Sequence, residues 1–399
     1  MTAYRRVRRF LVRTWPLLLS LALLGGTPAL ISLNRQGRVA VEASIYLPDM
    51  VLQVPAPGPL RYLRPVTWLS DPPIRTRVTI NYQSRSGPRS IDADLYLPAH
   101  GTDHQGVVFS MGAPPLPLDD PRLRRIADDS ARSGVVMLVP FSTRLDDLRI
   151  EPEEIDALVA EFQYVQQLPQ VNPHRVGFFG ASVGGSLALV AAADPRIAAD
   201  VDQVVSFGAA FDALAAFGAI VTHHIQYDGI NEAWTPRRHA EIVVARQLID
   251  RVDSAADRDL LTRVFLDGEQ PTQEQLATLT PAGRSSYNFL ANRDPAAVQS
   301  LIDQLPASAV ADLEYLSPRT SIANVKAELF IIHDRADPFI PFTESLKLKA
   351  AVGNRPNVHF DEVRLFQHVQ PKLNQQPQII AIDGTRLLFR LYQLLLSWD

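Results

Sequence analysis

The 399-residue chain reads as an α/β protein: a mostly parallel, twisted sheet with helices on both faces and a helical segment inserted between the sixth and seventh strands. Two observations predict this. From Val78 onward, short apolar runs alternate with helical patterns, the signature of strand–helix–strand units and hence of parallel pairing. The rhythm breaks once, over residues 211–320, which hold no convincing strand and are too long for a loop. Composition agrees. With 46% hydrophobic residues and a net charge of −4, the chain can bury a large core and lacks the signature of disorder.

The elements follow in order. Val78 to Tyr82 alternates, turns at Ser86-Gly87-Pro88 and continues over Ile91 to Leu97, which predicts a hairpin and an antiparallel edge. Val107 to Phe109 is a short buried strand ending in Met111-Gly112-Ala113. Asp120 is placed to cap a helix with Pro121 at its first position and Gly134 at its close. Val135 to Val139 is the next strand. Ile155, Leu158, Val159, Phe162 and Val165 share one face of a helix over 153–168. Val176 to Phe179 is a strand, Val183 to Ala193 a small-residue helix stopped by Asp194-Pro195, and Val204 to Phe207 another strand. Helical patterns such as Ala240 to Val252 and Ala256 to Phe265 fill the insertion. Leu329 to Ile332 and a run around Phe360 to Leu365 complete the sheet, and Ile379 to Trp398 is a closing helix with an apolar face.

The first 75 residues differ in character. Arg5, Arg6, Arg8, Arg9 and Arg13 precede Thr14 to Asn34, a stretch of 21 residues without charge. That length just crosses a bilayer, and the arginines before it fit a cytoplasmic N-terminus with an exported body. Residues 1–34 are therefore expected to be a signal anchor or a cleaved signal peptide, with 14–34 as the membrane segment and the catalytic body extracytoplasmic or secreted. Residues 35–75, broken by seven prolines from Pro48 to Pro73, are expected to be an irregular spacer and N-terminal extension. The main body divides into 76–210, the insertion 211–320 and 321–399. Removing the five arginines takes the net charge from −4 to −9, so the body is mildly acidic, and no basic patch suggests nucleic acid. The absence of cysteine excludes disulfides, thiolate nucleophiles and cysteine metal sites.

In open parallel sheets, sites gather at the carboxyl ends of strands. A serine, an acid and a histidine follow three different strands there: Ser182 after Val176 to Phe179, the run His333 to Pro338 with Asp334 and Asp337 after Leu329 to Ile332, and His368 after the last strand. A serine hydroxyl is too weakly acidic to attack an acyl carbon unaided. A histidine can accept its proton and return it to the leaving group, and a carboxylate can fix the imidazole tautomer. Gly180-Ala181-Ser182-Val183-Gly184 supplies a tight strand-to-helix turn, with the Val183 amide aimed at a developing oxyanion and a second donor expected from Ala113. Asp334 is the alternative acid, and His359 and His333 are the alternative histidines. His223, His224 and His239 have no carboxylates at ligand spacing and are expected in solvent or packing roles. No cofactor is implied.

The run from Asn172 to Gly185 resembles the nucleophile turn of α/β-hydrolases, in the branch of dienelactone hydrolases and prolyl-oligopeptidase-type domains. Leu316-Ser317-Pro318, Ile322 to Lys326 and Leu329 to Pro341 resemble the acid-bearing segment of that family. The resemblance implies Ser182 as nucleophile, Asp337 as triad acid and His368 as triad histidine, in the family's chain order. Two positions depart from the pattern: Met111-Gly112 stands where the family usually has His-Gly, and Gln367 where it often has Gly. The expectation is a serine hydrolase acting on a small-molecule or lipid-like ester through an acyl-enzyme. An acyltransferase or peptidase with the same triad, and a binding protein on the same fold, are the alternatives. Phe211, Phe217, Tyr227 and Trp234 of the insertion are candidate apolar contacts or core residues.

Overall fold

The computed structural model describes residues 65–113, 120–372 and 374–398, with a few more between 36 and 45. The expected export or anchor segment, 14–34, lies outside them. Eight strands form one sheet in the order β1-β2-β4-β3-β5-β6-β9-β10. They are β1 (Ile74–Ser84), β2 (Gly87–Leu97), β3 (His104–Ser110), β4 (Val135–Phe141), β5 (Val171–Ala181), β6 (Val201–Phe207), β9 (Glu328–Asp334) and β10 (Val358–Val363). Only β2 runs against its neighbours; β4 through β10 pair in parallel.

Strand alternation sends successive side chains to opposite faces, and both faces are covered. Val108, Leu138 and Phe178 enter one core, Val107, Met137 and Phe109 the other. On the first face lie α2 (Glu153–Gln166) and α3 (Val183–Ala192). The spacing of Ile155, Leu158, Val159, Phe162 and Val165 buries all five, and the Phe162 ring stacks on Phe178 at 5.6 Å between centroids. On the second face, α1 (Pro121–Arg132) begins as expected: Asp120 accepts from the Arg122 amide at 2.8 Å, Pro121 follows, and Gly134 turns the chain at φ +94°.

The segment between β6 and β9 has its own apolar core, centred on Val244, Leu261 and Phe289. Its helices include α4 (Ala213–Thr222), α5 (Arg238–Ile249), α6 (Ala255–Phe265), α7 (Pro281–Ala291) and α8 (Ala307–Tyr315). It is not wholly helical. His224–Tyr227 and Ile230–Ala233 form a two-stranded hairpin, β7–β8, around the turn Asp228-Gly229. Four-residue strands are too short for a period-2 pattern to stand out, which is why the sequence reading found none.

Two further corrections concern the ends. The described part of 35–75 is not irregular: it contains helical residues between 36 and 45, a short helix over Pro65–Leu69, and the start of β1 at Ile74. Val39 and Ala43 pack against Leu395 of the last helix, α10 (Pro377–Trp398). A further helix, α9 (Thr343–Val352), has no counterpart among the sequence expectations, because its mixed face masks any clear apolar period. Among the described residues, no helix is long and apolar enough to cross a membrane.

Candidate active site

Five strands and their loops converge where β3, β5, β6, β9 and β10 end. Ser182 sits between β5 and α3 with φ +58°, a region that non-glycine residues rarely occupy. Its amide donates to the Phe207 carbonyl at 2.7 Å, which ties the turn to the end of β6. The side chain does not cap α3, so the hydroxyl is not committed to its own helix. The glycines are required by close approach. A Cβ at Gly184 would lie 2.0 Å from the Ser110 carbonyl oxygen, and one at Gly180 2.5 Å from the Gly185 Cα. Gly112 is pressed against the same turn: a Cβ there would lie 2.9 Å from the Val183 amide nitrogen and 3.0 Å from the Ser182 Cβ. Ala113, Ser182 and Val183 thus line one cavity.

Asp337 and His368 meet on the loops after β9 and β10. His368 Nδ1 lies 2.6 Å from Asp337 Oδ2, and both residues are buried. The other carboxylate oxygen accepts from the Phe339 and Ile340 amides at 2.7 and 3.1 Å. Burial pushes the Asp337 carboxyl up, but the charge on His368 and the hydrogen bonds from His333 and His368 outweigh it, holding the group well below the ordinary carboxylate range. His368 opens a two-residue turn between Gln367 and Gln370, at φ +62°. The histidine itself takes the left-handed conformation, so a glycine is not needed at position 367.

The serine turn and the acid–histidine pair are joined through Gly208, one residue beyond the carbonyl that holds Ser182. Gly208 has φ +64°, and a Cβ there would lie 3.3 Å from both Asp337 Oδ2 and His368 Nδ1. Phe339 completes the link, lining the Ser182 cavity while its ring lies 4.8 Å from the His368 ring.

The alternatives are occupied elsewhere. Asp334 accepts from the Ala336 amide at 2.8 Å and the Phe366 amide at 2.7 Å, so it fastens the acid loop to the His368 hairpin. Burial pushes its carboxyl up to about 6. His359, near the start of β10, pairs with Glu328 at 2.7 Å. His333 is fully buried with Nε2 3.3 Å from Asp337 Oδ2, a contact that sequence order alone did not suggest.

The insertion also reaches the site. Trp234 Nε1 donates to the Asp337 carbonyl at 2.9 Å, the Arg237 amide to the Pro338 carbonyl at 2.7 Å, and His239 Nε2 lies 2.9 Å from the Ala113 carbonyl oxygen. These partners are roughly a hundred residues apart in sequence, so no local pattern could have revealed them. Phe217 lines the cavity, Phe211 belongs to the main core, and the Tyr227 ring lies 5.8 Å from Lys347 Nζ. His223 pairs with Glu241 and His224 with Asn231. Among the described residues, no group of three or more His, Asp or Glu is placed to hold a metal ion.

Behind the Ser110–Gly112 strand end lies a second, small cavity of about 30 Å³, lined in part by Glu154 and Glu161. Burial pushes Glu154 up to about 7 and Glu161 up to about 8.

The strand order, the single antiparallel strand beside the edge, and the serine, acid and histidine on loops after β5, β9 and β10 decide the architecture. The fold is that of the α/β-hydrolases. No family model and no curated protein matches the chain. Solved structures similar to it include an acylaminoacyl peptidase of Pyrococcus horikoshii, at 14% identity over 82% of this chain and 41% of that one, with a TM-score of 0.45. The α/β hydrolase GrgF of a Penicillium species matches at 18% identity over 81% and 98%, with a TM-score of 0.43. The esterase domain of a Rhodothermus marinus protein matches at 13% over 80% and 98%, with a TM-score of 0.42. The chain spans about two fifths of the length of the peptidase.

Proposed function

We propose that the chain is a serine hydrolase that cleaves an ester-like bond through an acyl-enzyme. The observation that carries this reading is the 2.6 Å His368–Asp337 contact beside a serine held at positive φ on the same sheet edge. Because Asp337 accepts at Nδ1, the neutral imidazole keeps Nε2 free as a base. Ser182 Oγ attacks the acyl carbon as its proton passes to His368 Nε2. The Val183 and Ala113 amides hold the oxyanion, each such donor contributing about 10²–10³ in rate. The imidazolium then protonates the leaving alcohol, and water, activated by the same histidine, releases the acid and restores Ser182. Residues 14–34 remain the proposed export or anchor segment, on the strength of their length and flanking arginines.

The test is labelling with a serine-directed fluorophosphonate, read by mass spectrometry, alongside p-nitrophenyl ester turnover. Wild type labels at Ser182 and Ser182→Ala does not. Equal labelling of both proteins, or none of folded wild type, removes the reading.

A further inference from the structure

The cavity that opens beside Ser182 is built by two helices of the insertion and by the serine turn. On α4, Ala213, Ala216, Phe217 and Ile220 recur at three- and four-residue steps and present one face to it. On α5, Ala240, Val243 and Val244 do the same from the adjacent side. Among the described residues, no Asp, Glu, Lys or Arg lines it. Apart from the Ser182 hydroxyl, its polar side chains have partners: Ser186 Oγ donates to the Ala210 carbonyl at 2.8 Å and accepts from the Ala210 amide at 3.0 Å, and His239 Nε2 lies 2.9 Å from the Ala113 carbonyl oxygen. An ammonium or carboxylate entering this space would lose its hydration and find no counter-charge among the described lining residues. The space is also small, about 80 Å³. An apolar cavity of about 150 Å³ accommodates benzene, so this one suits about three carbons.

We propose that this cavity is the acyl subsite and that it selects short, uncharged acyl groups, near butyryl, against long-chain and charged ones. This rests on the serine-hydrolase reading.

The experiment compares kcat/KM for p-nitrophenyl acetate, butyrate and octanoate, and for glycine p-nitroanilide as a cationic acyl probe. Butyrate is expected to be best, with octanoate at least about tenfold poorer, in line with the discrimination of apolar pockets. Ala216→Leu fills the α4 face and should lower butyrate turnover more than acetate turnover. Phe217→Ala should raise octanoate relative to butyrate, and Val243→Ala makes the same test with a smaller packing loss should the first variant not fold. An optimum at octanoate, a preference for the glycine probe, or an unchanged profile in the folded variants overturns the proposal. Fluorophosphonate labelling separates the two levels. Labelled Ser182 with a flat chain-length profile refutes the subsite alone, whereas unlabelled wild type refutes the hydrolase reading and the subsite with it.

Discussion

At Ser182 the backbone holds a conformation that costs a non-glycine residue about 1–3 kcal/mol and persists only where neighbours over-determine it. The neighbours are identifiable: the Phe207 carbonyl on the Ser182 amide, and the bare Cα atoms of Gly180 and Gly184 beneath the turn. Two substitutions separate chemistry from geometry. Ser182→Ala should lower ester turnover by at least about 10⁴-fold with the melting temperature nearly unchanged, since only a hydroxyl is lost. Gly184→Ala leaves the hydroxyl in place but sets a Cβ 2.0 Å from a backbone oxygen, so thermal denaturation should show a loss of about 1–3 kcal/mol together with lost turnover. Retention of both stability and rate in Gly184→Ala would contradict the packing described for the turn.

Glu161 carries a different prediction. Its folded pKa, about 8, lies above its ordinary value of about 4.3, so the folded state binds the proton more tightly than the unfolded one. The associated stability is fully present below about pH 4.3 and is lost as the pH rises through about 8. Glu154, at about 7, acts in the same direction. Asp337 acts oppositely, adding stability above its ordinary pKa that disappears only in strong acid. Denaturant melts should therefore show wild type weakening between pH 5 and pH 8, and Glu161→Gln should flatten that slope. An equal slope in both proteins would exclude Glu161 as its source.

At the scale of elements, the stretch from β8 to the start of α5 links the insertion to both halves of the site. Trp234 and Arg237 hold the acid loop, and His239 holds Ala113, the residue proposed to donate the second oxyanion hydrogen bond. On the proposed mechanism, His239→Ala should lower kcat by about tenfold while leaving KM within about twofold. A displaced oxyanion donor weakens the transition state more than the bound ester. A change confined to KM would assign His239 to binding instead. The sheet-facing helices are held by conventional packing. Phe162 on α2 is fully buried against Phe178, and Phe162→Ala should cost about 3–5 kcal/mol in denaturant unfolding.

At the scale of the whole molecule, the sheet carries one core on each face and the insertion carries a third. The last helix lies against the second face, where Leu394 packs with Val205 and Phe330, and the described residues between 36 and 45 pack on it in turn. If residues 14–34 form the proposed anchor, full-length protein should stay with membranes through carbonate extraction, and a chain starting at residue 35 should not. Release of both would remove the anchor reading.

The order of strands and helices was legible in the residues because burial on both faces writes apolar runs into strands and three-to-four spacing into helices. Asp120, Pro121 and Gly134 marked one helix by capping chemistry alone. Part of the candidate site was legible for a related reason: a parallel sheet puts its strands' carboxyl ends at one edge, so the loops bearing Ser182, Asp337 and His368 share that edge, whereas the choice of Asp337 over Asp334 came from the family resemblance. What the residues did not reveal depends on partners far apart in the chain. The β7–β8 hairpin was too short to leave a period. His333 beside Asp337 depends on how the loop after β9 turns back, and Trp234 on the Asp337 carbonyl, His239 on Ala113 and the apolar cavity between α4 and α5 exist only because the insertion folds back over the edge of the sheet. Periodicity records which face of an element is buried. Which residue it is buried against is decided by three-dimensional packing.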